Sequence, residues 1–255
     1  MVRYGLIGEH LGHSFSQRYF TEKFAREGST DHRYDLFELK DLDELAPLLA
    51  DTPDLVGLNV TIPYKQAILP MLNELDPVAA AVGAVNTIRI RNGAMTGHNT
   101  DVEGFKAMLL PMIADARPRA LVLGSGGASR AVVYVLRELG LKFRVVSRSR
   151  GTGDLTWDLL DPALVGACPL IINTTPIGMH PKVDDMPEVP MSAIGPRHIL
   201  LDLIYNPERT RFLQEGAARG ARISNGLAML HAQAEAAWRI WNGITPFHTP
   251  APPSR

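Results

Sequence analysis

An unbroken apolar run, Ala120-Leu121-Val122-Leu123, meets the turn Gly124-Ser125-Gly126-Gly127-Ala128-Ser129, which leads straight into a helical stretch, Arg130 to Leu139, stopped by Gly140. Few folds accept that succession. An apolar run without alternation reads as a strand buried on both faces, and such strands belong to parallel sheets covered by helices. Phe143 to Val146 reads as the next strand, completing a βαβ unit, and Leu170 to Ile172 and Ile199 to Leu203 read as two more buried strands. The glycines have a second use. Close approach of a pyrophosphate to backbone needs glycine in the turn and open N–H groups at a helix N-terminus. Gly124 and Gly126 fill the first two positions of G-x-G-x-x-G, with Ser129 at the third. Alone the motif is weak, but the strand before it and the helix after it supply the context it needs. Gly124, Ser125, Gly126, Gly127 and Ala128 are the candidate phosphate-binding residues.

The choice of dinucleotide is read at the end of the following strand. A site for NAD wants an acid about 20 residues past the glycines, to hold the ribose 2′-hydroxyl. This chain has Ser147-Arg148-Ser149-Arg150 there, with no acid before Asp154. A guanidinium binds a 2′-phosphate bidentately where a carboxylate repels it, so NADP is favoured over NAD. The alternative is that Arg148 and Arg150 are solvated loop residues.

A second α/β pattern occupies the N-terminal part. Arg3 to Ile7 reads as a strand, Gly8 to Ser16 as a polar loop and Gln17 to Glu27 as a helix. Tyr34 to Leu39 reads as a strand, Leu42 to Leu49 as a helix and Leu55 to Val60 as a third strand, so a parallel sheet is expected here too. The boundary between the two patterns falls near Asp101 to Pro118, on a helix from Val102 to Met112, and a last helix, Leu227 to Trp241, is free to pack on either half.

Polar islands stand where the N-terminal strands end: Ser14-Phe15-Ser16, Asn59 to Lys65, Asn86-Thr87 and Asn99-Thr100-Asp101. Hydroxyls, amides, one lysine and one aspartate suit a small polyhydroxylated acid. Thr61 is expected to cap a helix beginning Ile62-Pro63, which sets Lys65 in its first turn. A lysine there opposes the helix dipole, which hints at a use other than helix stability. The bland alternatives are a solvated Lys65 and a helix cap drawn from Asn99, Thr100 or Asp101. His10 and His13 lack the companion ligands of a zinc site and Cys168 is remote from them, so no metal is expected. Met229 and Trp238 read as helix-face core, and Gln233 as a surface residue by default.

Composition closes off other classes. Lys and Arg number 26 against 27 Asp and Glu, a net charge of −1, which gives no basic excess for nucleic acid or an anionic membrane. No apolar run approaches the roughly 20 residues of a membrane span, and Met1 to His13 lacks a basic segment followed by an apolar stretch, so no signal peptide is expected. One cysteine fits a reducing cytoplasm. Thr249 to Arg255, with three prolines, reads as a loose tail.

Taken together, HSFS at His13 to Ser16, NVTIPYK at Asn59 to Lys65, GAVNT at Gly83 to Thr87, NTD at Asn99 to Asp101, GSGGASR at Gly124 to Arg130, NTTPIGM at Asn173 to Met179, DLIYNP at Asp202 to Pro207 and NGLAMLHAQA at Asn225 to Ala234 resemble the shikimate dehydrogenase family, over Tyr4 to about Gly243. The resemblance implies a two-domain α/β fold with the active site in the cleft between the domains. An N-terminal substrate domain would span 1–101 with 227–255, and a Rossmann-type NADP domain 102–226. It implies reversible reduction of 3-dehydroshikimate to shikimate by NADPH, in aromatic amino-acid biosynthesis, by a cytoplasmic monomer or homodimer. Ser14 and Ser16 match the serines that hold the substrate carboxylate, and Thr61, Asn86, Tyr205 and Gln233 match other substrate contacts. Lys65 and Asp101 match the catalytic pair at the reacting oxygen. Ser147, Arg148, Ser149, Arg150, Leu203 and Gly226 join the glycine turn as cofactor positions. His10 and Gln17 replace prolines usual in the family, and Gly151-Thr152-Gly153 leaves little room for the usual helix before Trp157. Rival readings are an NAD-using quinate/shikimate dehydrogenase, a non-catalytic sensor that binds nucleotide and metabolite, and, more distantly, a methylene-tetrahydrofolate dehydrogenase-like enzyme.

Overall fold

The computed structural model describes residues 1–12 and 14–244; His13 and the expected tail at Thr249 to Arg255 lie outside the described residues. The elements run β1 (Val2–Gly8), α1 (Phe15–Glu27), β2 (His32–Glu38), α2 (Leu45–Asp51), β3 (Leu55–Val60), α3 (Tyr64–Ala67), β4 (Glu74–Leu75), α4 (Pro77–Val82), β5 (Thr87–Arg91), β6 (Ala94–His98) and α5 (Asp101–Ile113). They continue with β7 (Ala120–Leu123), α6 (Gly127–Glu138), β8 (Phe143–Ser147), β9 (Leu155–Thr156), α7 (Pro162–Gly166), β10 (Leu170–Asn173), β11 (Ile199–Asp202), α8 (Arg211–Ala218), β12 (Arg222–Ser224) and α9 (Leu227–Trp241).

Two compact units result: residues 1–76, 85–98 and 234 onward, and residues 77–84 with 99–233. Against the expected division, 77–84, 99–101 and 227–233 fall in the second unit.

The first unit is built on a sheet in the order β2-β1-β3-β5-β6-β4. Its first three strands are parallel, but β5 runs antiparallel to both β3 and β6, so the sheet is mixed rather than wholly parallel. The departure is a two-residue hairpin. Asn92 and Gly93 both take positive φ, 50° and 78°, and Arg91 pairs with Ala94 across them. Asn-Gly between alternating strands is the sequence signal for that turn. One face of the sheet is covered by aromatic rings: Tyr4, Phe20, Phe24, Tyr34 and Trp241 are buried together. Buried Lys23 bonds both Glu27 (2.9 Å) and Glu235 (3.0 Å), tying α1 to the end of α9, and lies 5.6 Å from the centre of the Trp238 ring.

The second unit has a wholly parallel sheet, β12-β11-β10-β7-β8-β9. Counted from β7 this is the order 3-2-1-4-5-6 of a dinucleotide-binding sheet, whose direction of winding reverses between β7 and β10. β7, β10 and β11 are buried along their whole length, as their unalternated apolar runs require. Met229 is core here, packed among the residues around α5 and α6.

Candidate active site

Three loops of the first unit leave its sheet at one edge. β1 and β3 are parallel, so the segments after them emerge together, and β5 is antiparallel to β3, so Asn86, just before β5, arrives at the same end. Backbone bonds fasten the three: Thr61 N–H donates to the Ile7 carbonyl (3.0 Å), Val60 N–H to that of Asn86 (2.9 Å), and Val85 N–H to that of Lys65 (2.7 Å). The edge therefore presents Ser14, Ser16, Thr61, Lys65 and Asn86, five of the expected site residues.

Their local roles differ from expectation in two places. Ser14 is the N-cap of α1, its Oγ accepting the Gln17 N–H at 3.4 Å, so the helix starts at Phe15 and not at Gln17. Because the hydroxyl accepts in the cap, its own proton stays free for a carboxylate, beside the positive end of the helix dipole. Thr61 does not cap a helix at Ile62-Pro63. α3 begins only at Tyr64, with Pro63 at its N-cap and the Thr61 carbonyl accepting the Tyr64 N–H (2.9 Å). The cause is that Pro63 has no N–H to offer a cap at Thr61 and the Tyr64 N–H is taken by the Thr61 carbonyl. Lys65 nevertheless lies in the first turn of α3, half-buried.

Ser16 and Asn86 are joined through Tyr34, which the sequence reading gave no site role, and through Asn59 and Thr87, which it placed in polar islands without individual roles. The Ser16 hydroxyl bonds the buried Tyr34 hydroxyl, which itself donates to Asn59 Oδ1 (2.8 Å). Asn59 Nδ2 donates to Thr87 Oγ1 (3.2 Å), and the Thr87 hydroxyl to Asn86 Oδ1 (3.2 Å). Burial pushes the Tyr34 phenol well above its ordinary range, so it stays a neutral relay. The available signal was Asn59, a lone amide inside the apolar strand Leu55-Val56-Gly57-Leu58-Asn59-Val60.

In the second unit Asp101 is the first residue of α5 and almost fully buried, at 1% exposure. Thr100 is the N-cap and makes no side-chain capping bond, so capping does not account for the Asn99-Thr100-Asp101 cluster. Asn99 Nδ2 donates to the Ala84 carbonyl (2.8 Å), while its Oδ1 is buried without a partner among the described residues. An orphan acceptor of that kind costs about 1–3 kcal/mol, and a ligand hydroxyl would relieve it. Gly104 lets α5 meet α9 closely: a Cβ there would fall 2.6 Å from the Met229 carbonyl and 3.3 Å from Gln233 Cβ. Gln233 is accordingly half-buried against α5, not a surface residue. Tyr205 lies on the loop after β11, also half-buried.

The glycine turn meets the physical test for a pyrophosphate. Gly124 has φ +107°, and a Cβ on it would lie 2.8 Å from Thr174 Oγ1 and 2.9 Å from Thr175 Cγ2, so only glycine fits. Gly126 caps α6 with no side-chain capping bond, and a Cβ on it would meet nothing within 4 Å. Open space thus stands over uncapped helix N–H groups, with Ser125 exposed and Gly127 and Ala128 following in the first turn. Ser129 is buried, small enough to take the place of the third glycine in helix–sheet packing. Gly226 approaches the Leu203 carbonyl too closely for any side chain, which holds these two expected cofactor positions together.

After β8 the chain makes a closed polar turn and no helix before β9. The Ser147 hydroxyl donates to the Ser149 carbonyl (2.7 Å), and Thr152 lies within bonding distance of Ser147 Oγ (3.0 Å) and Ser149 Oγ (3.1 Å). Asp154 is occupied, accepting the Val145 N–H at 2.8 Å. Arg148, Ser149 and Arg150 are exposed on the turn, so two guanidinium groups stand at the ribose-reading position, with Asp158 near enough to Arg150 to feel its charge.

A buried polar knot lies beside the glycine turn, at the ends of β10 and β11, and was not foreseen as a site. Asn173 and Asp202 occupy paired positions on the two strands, and both are fully buried. Asp202 accepts from Asn173 Nδ2 (3.0 Å), Ile204 N–H (3.1 Å) and the Thr210 hydroxyl (2.6 Å). The signal was a single polar residue closing each of two apolar strands, Leu170-Ile171-Ile172-Asn173 and Ile199-Leu200-Leu201-Asp202. Burial pushes the Asp202 carboxyl from 3.8 up to about 6, against the opposing pull of its three donors. The folded state then holds the proton more tightly than the unfolded chain, so stability falls as pH rises from about 4 to about 6, by on the order of 3 kcal/mol. In urea unfolding the stability difference between wild type and Asp202→Asn should change in that sense across this window. A difference independent of pH would mean that Asp202 titrates normally.

Among the described residues no group of three or more His, Cys, Asp or Glu side chains could hold a metal ion, and no helix is long and apolar enough to cross a membrane.

Comparisons with known proteins agree with these features. Residues 6–88 match the family model described as the shikimate dehydrogenase substrate binding domain. A curated NADP(+) shikimate dehydrogenase of Nostoc sp. is 40% identical over 263 residues, covering 93% of this chain and 89% of its own. The structure of shikimate 5-dehydrogenase from Thermus thermophilus, in complex with NADP(H) and shikimate, has a TM-score of 0.84 at 32% identity and covers 96% of this chain and 95% of its own. The enzyme from Listeria monocytogenes, solved with shikimate and NAD, has a TM-score of 0.81 at 27% identity, covering 95% and 92%.

Proposed function

Because the chain belongs to the shikimate dehydrogenase family, we propose that it interconverts 3-dehydroshikimate and shikimate with Lys65 and Asp101 as its proton-handling pair. The reaction is the NADP-dependent one of the shikimate pathway, and the chain is an oxidoreductase. The observation that carries the assignment of residues is the hydrogen-bonded chain Ser16–Tyr34–Asn59–Thr87–Asn86, which fixes two expected substrate groups relative to one another at the loop edge that bears Lys65.

Ser14 and Ser16 take the substrate carboxylate, the first with its uncommitted hydroxyl proton. Thr61, Asn86, Tyr205 and Gln233 bond the ring hydroxyls. Gly124 to Ala128 hold the pyrophosphate, Arg148 and Arg150 the 2′-phosphate, with Ser147, Ser149, Leu203 and Gly226 completing the cradle. Bound NADPH supplies the hydride, and NADP accepts it in the reverse direction. As the substrate carbonyl is reduced, negative charge grows on its oxygen; the Lys65 ammonium stabilises that charge and donates the proton. In the oxidative direction neutral Lys65 accepts the hydroxyl proton. Asp101 acts at the reacting hydroxyl. Functionally, 1–101 with 227–255 serve the substrate and 102–226 the dinucleotide. The protein works in the cytoplasm as a monomer or homodimer.

The test is the initial rate of nicotinamide reduction with shikimate, with NADP and NAD in parallel, repeated with quinate. Shikimate turnover favouring NADP is expected. Quinate turnover or a preference for NAD would move the protein to the rival dehydrogenase activity, and nucleotide binding without turnover would indicate a sensor. For Arg148→Ala, kcat/KM with NADP should fall about 10–100-fold, the worth of a charge-assisted pair, with NAD turnover nearly unchanged. Equal losses with both cofactors would refute the role in 2′-phosphate binding.

A further inference from the structure

We propose that Asp202, which touches neither substrate nor the reacting atoms, is a positioning residue of the dinucleotide site, bracing the glycine turn and the Leu203–Tyr205 loop as one rigid piece. The inference rests on the proposed binding of the dinucleotide at Gly124 to Ala128. From the carboxylate, hydrogen bonds run in three directions. Through Asn173 they reach Thr175, whose N–H (3.0 Å) and hydroxyl (2.7 Å) both donate to Asn173 Oδ1. Thr175 and Thr174 form the wall against which Gly124 turns, and the Thr174 hydroxyl donates to the Leu123 carbonyl at 2.7 Å. Through the Ile204 N–H they fix the loop after β11, whose Ile204 carbonyl accepts the Gly226 N–H at 3.0 Å. Through Thr210 they reach the start of α8, since Thr210 Oγ1 also accepts the Leu213 N–H (3.4 Å).

Two features separate this knot from ordinary packing. It lies at the carboxyl ends of β7, β10 and β11, where a sheet of this order binds its ligand. A buried carboxylate is also a costly way to join three loops if stability were the only gain, because its desolvation opposes folding. What three convergent bonds to one rigid group supply is fixed geometry for the loops on either side of the crevice. The three neighbours all donate to the carboxylate, and Thr210 can reverse its hydroxyl to accept. Asparagine can therefore satisfy the same partners: its oxygen faces Asn173 and Ile204, and its amide faces Thr210.

The experiment measures NADPH binding directly, by fluorescence titration without substrate, together with KM for shikimate at saturating NADP. Asp202→Ala should weaken NADPH binding about 10–100-fold, the worth of one charge-assisted hydrogen bond to the pyrophosphate, and raise KM for shikimate by a smaller factor, because the loop it braces also carries Tyr205. Asp202→Asn should recover most of the loss. Should Asp202→Ala fail to fold, Thr175→Ala, which removes the hydroxyl bond and keeps the N–H bond from the wall of the glycine turn to the knot, should weaken NADPH binding in the same direction by a smaller factor. A lowered melting temperature with unchanged NADPH affinity in these variants would make the knot merely structural and overturn the proposal. Gly126→Val separates the two levels of inference: its backbone is extended and its Cβ is unobstructed, so it should fold and exclude NADPH. If Gly126→Val binds NADPH normally, the underlying placement of the dinucleotide is wrong. If it abolishes binding while Asp202→Ala does not weaken it, only the role of Asp202 is refuted.

Discussion

Lys65→Ala should lower kcat by about 10²–10⁴, the range for loss of a general acid–base, with KM for shikimate little changed. The split follows from what the ammonium does. The carbonyl oxygen of the bound ketone carries little charge until hydride arrives, so the interaction is strongest in the transition state and its removal leaves ground-state binding nearly intact. The scaffold should survive the truncation. The backbone at position 65 is held by the Val85 N–H, and the adjoining Tyr64 is anchored through its hydroxyl to the Leu39 carbonyl at 2.6 Å. Alanine is the better helix former, and it relieves a cation in the first turn of α3. Lys65→Arg divides the two parts of the role. Arginine retains positive charge but exchanges no proton, so it should restore, in both directions alike, only the part of the rate owed to charge stabilisation. If KM rose while kcat held, Lys65 would be a binding residue and the assignment would fail.

What could be read from the sequence, and what could not, follows the range of the interactions involved. The strands Leu55–Val60 and Ala120–Leu123 were readable to the residue, because an apolar run encodes its conformation locally, whereas the helix after the glycines begins at Gly127, three residues before the expected Arg130. The compact turn after Ser147 was legible too, since Gly151 and Gly153 leave no stretch long enough for a helix. The antiparallel half of the first sheet was not read, although Asn92-Gly93 carried its signal in two residues. Thr61 failed for a different reason: a threonine before Ile-Pro has the chemistry of a helix cap, but Pro63 has no N–H and the Tyr64 N–H goes to the Thr61 carbonyl, so α3 begins later. For Tyr34, Asn59, Asn173 and Asp202 the obstacle is range. Each is a polar strand residue without a legible role until a partner 25 to 29 positions away completes its hydrogen bonding. Motifs name the groups that meet ligands; the groups that hold them in place are named only by contact.

Trp241→Ala should cost about 3–5 kcal/mol of unfolding free energy, the usual penalty for emptying a buried tryptophan site. Against a total of about 5–15 kcal/mol for a native domain, that is a large fraction of what holds the first unit together. The indole is 1% exposed, stacks on Tyr4 with centroids 4.9 Å apart, and lies 5.2 Å from Phe20. It fills the space over Gly57, where even a Cβ would collide with the ring, so nothing nearby can collapse into the hole without moving β3. Its Nε1–H donates to the Ile88 carbonyl at 3.0 Å, a bond that alanine would remove. Trp241→Phe should fall between, keeping most of the ring contact and losing the N–H bond, worth about 0.5–1.5 kcal/mol. The effect should also reach the site: Phe20 stacks on Tyr34 at 4.8 Å, and Tyr34 holds Ser16 and Asn59. In Trp241→Ala, KM for shikimate should therefore rise more than kcat falls, in the fraction that remains folded. Urea unfolding monitored by circular dichroism gives the first number and steady-state kinetics the second. A loss under about 1 kcal/mol would mean that the aromatic cluster repacks without the indole, and that Tyr34 owes its placement to the sheet alone.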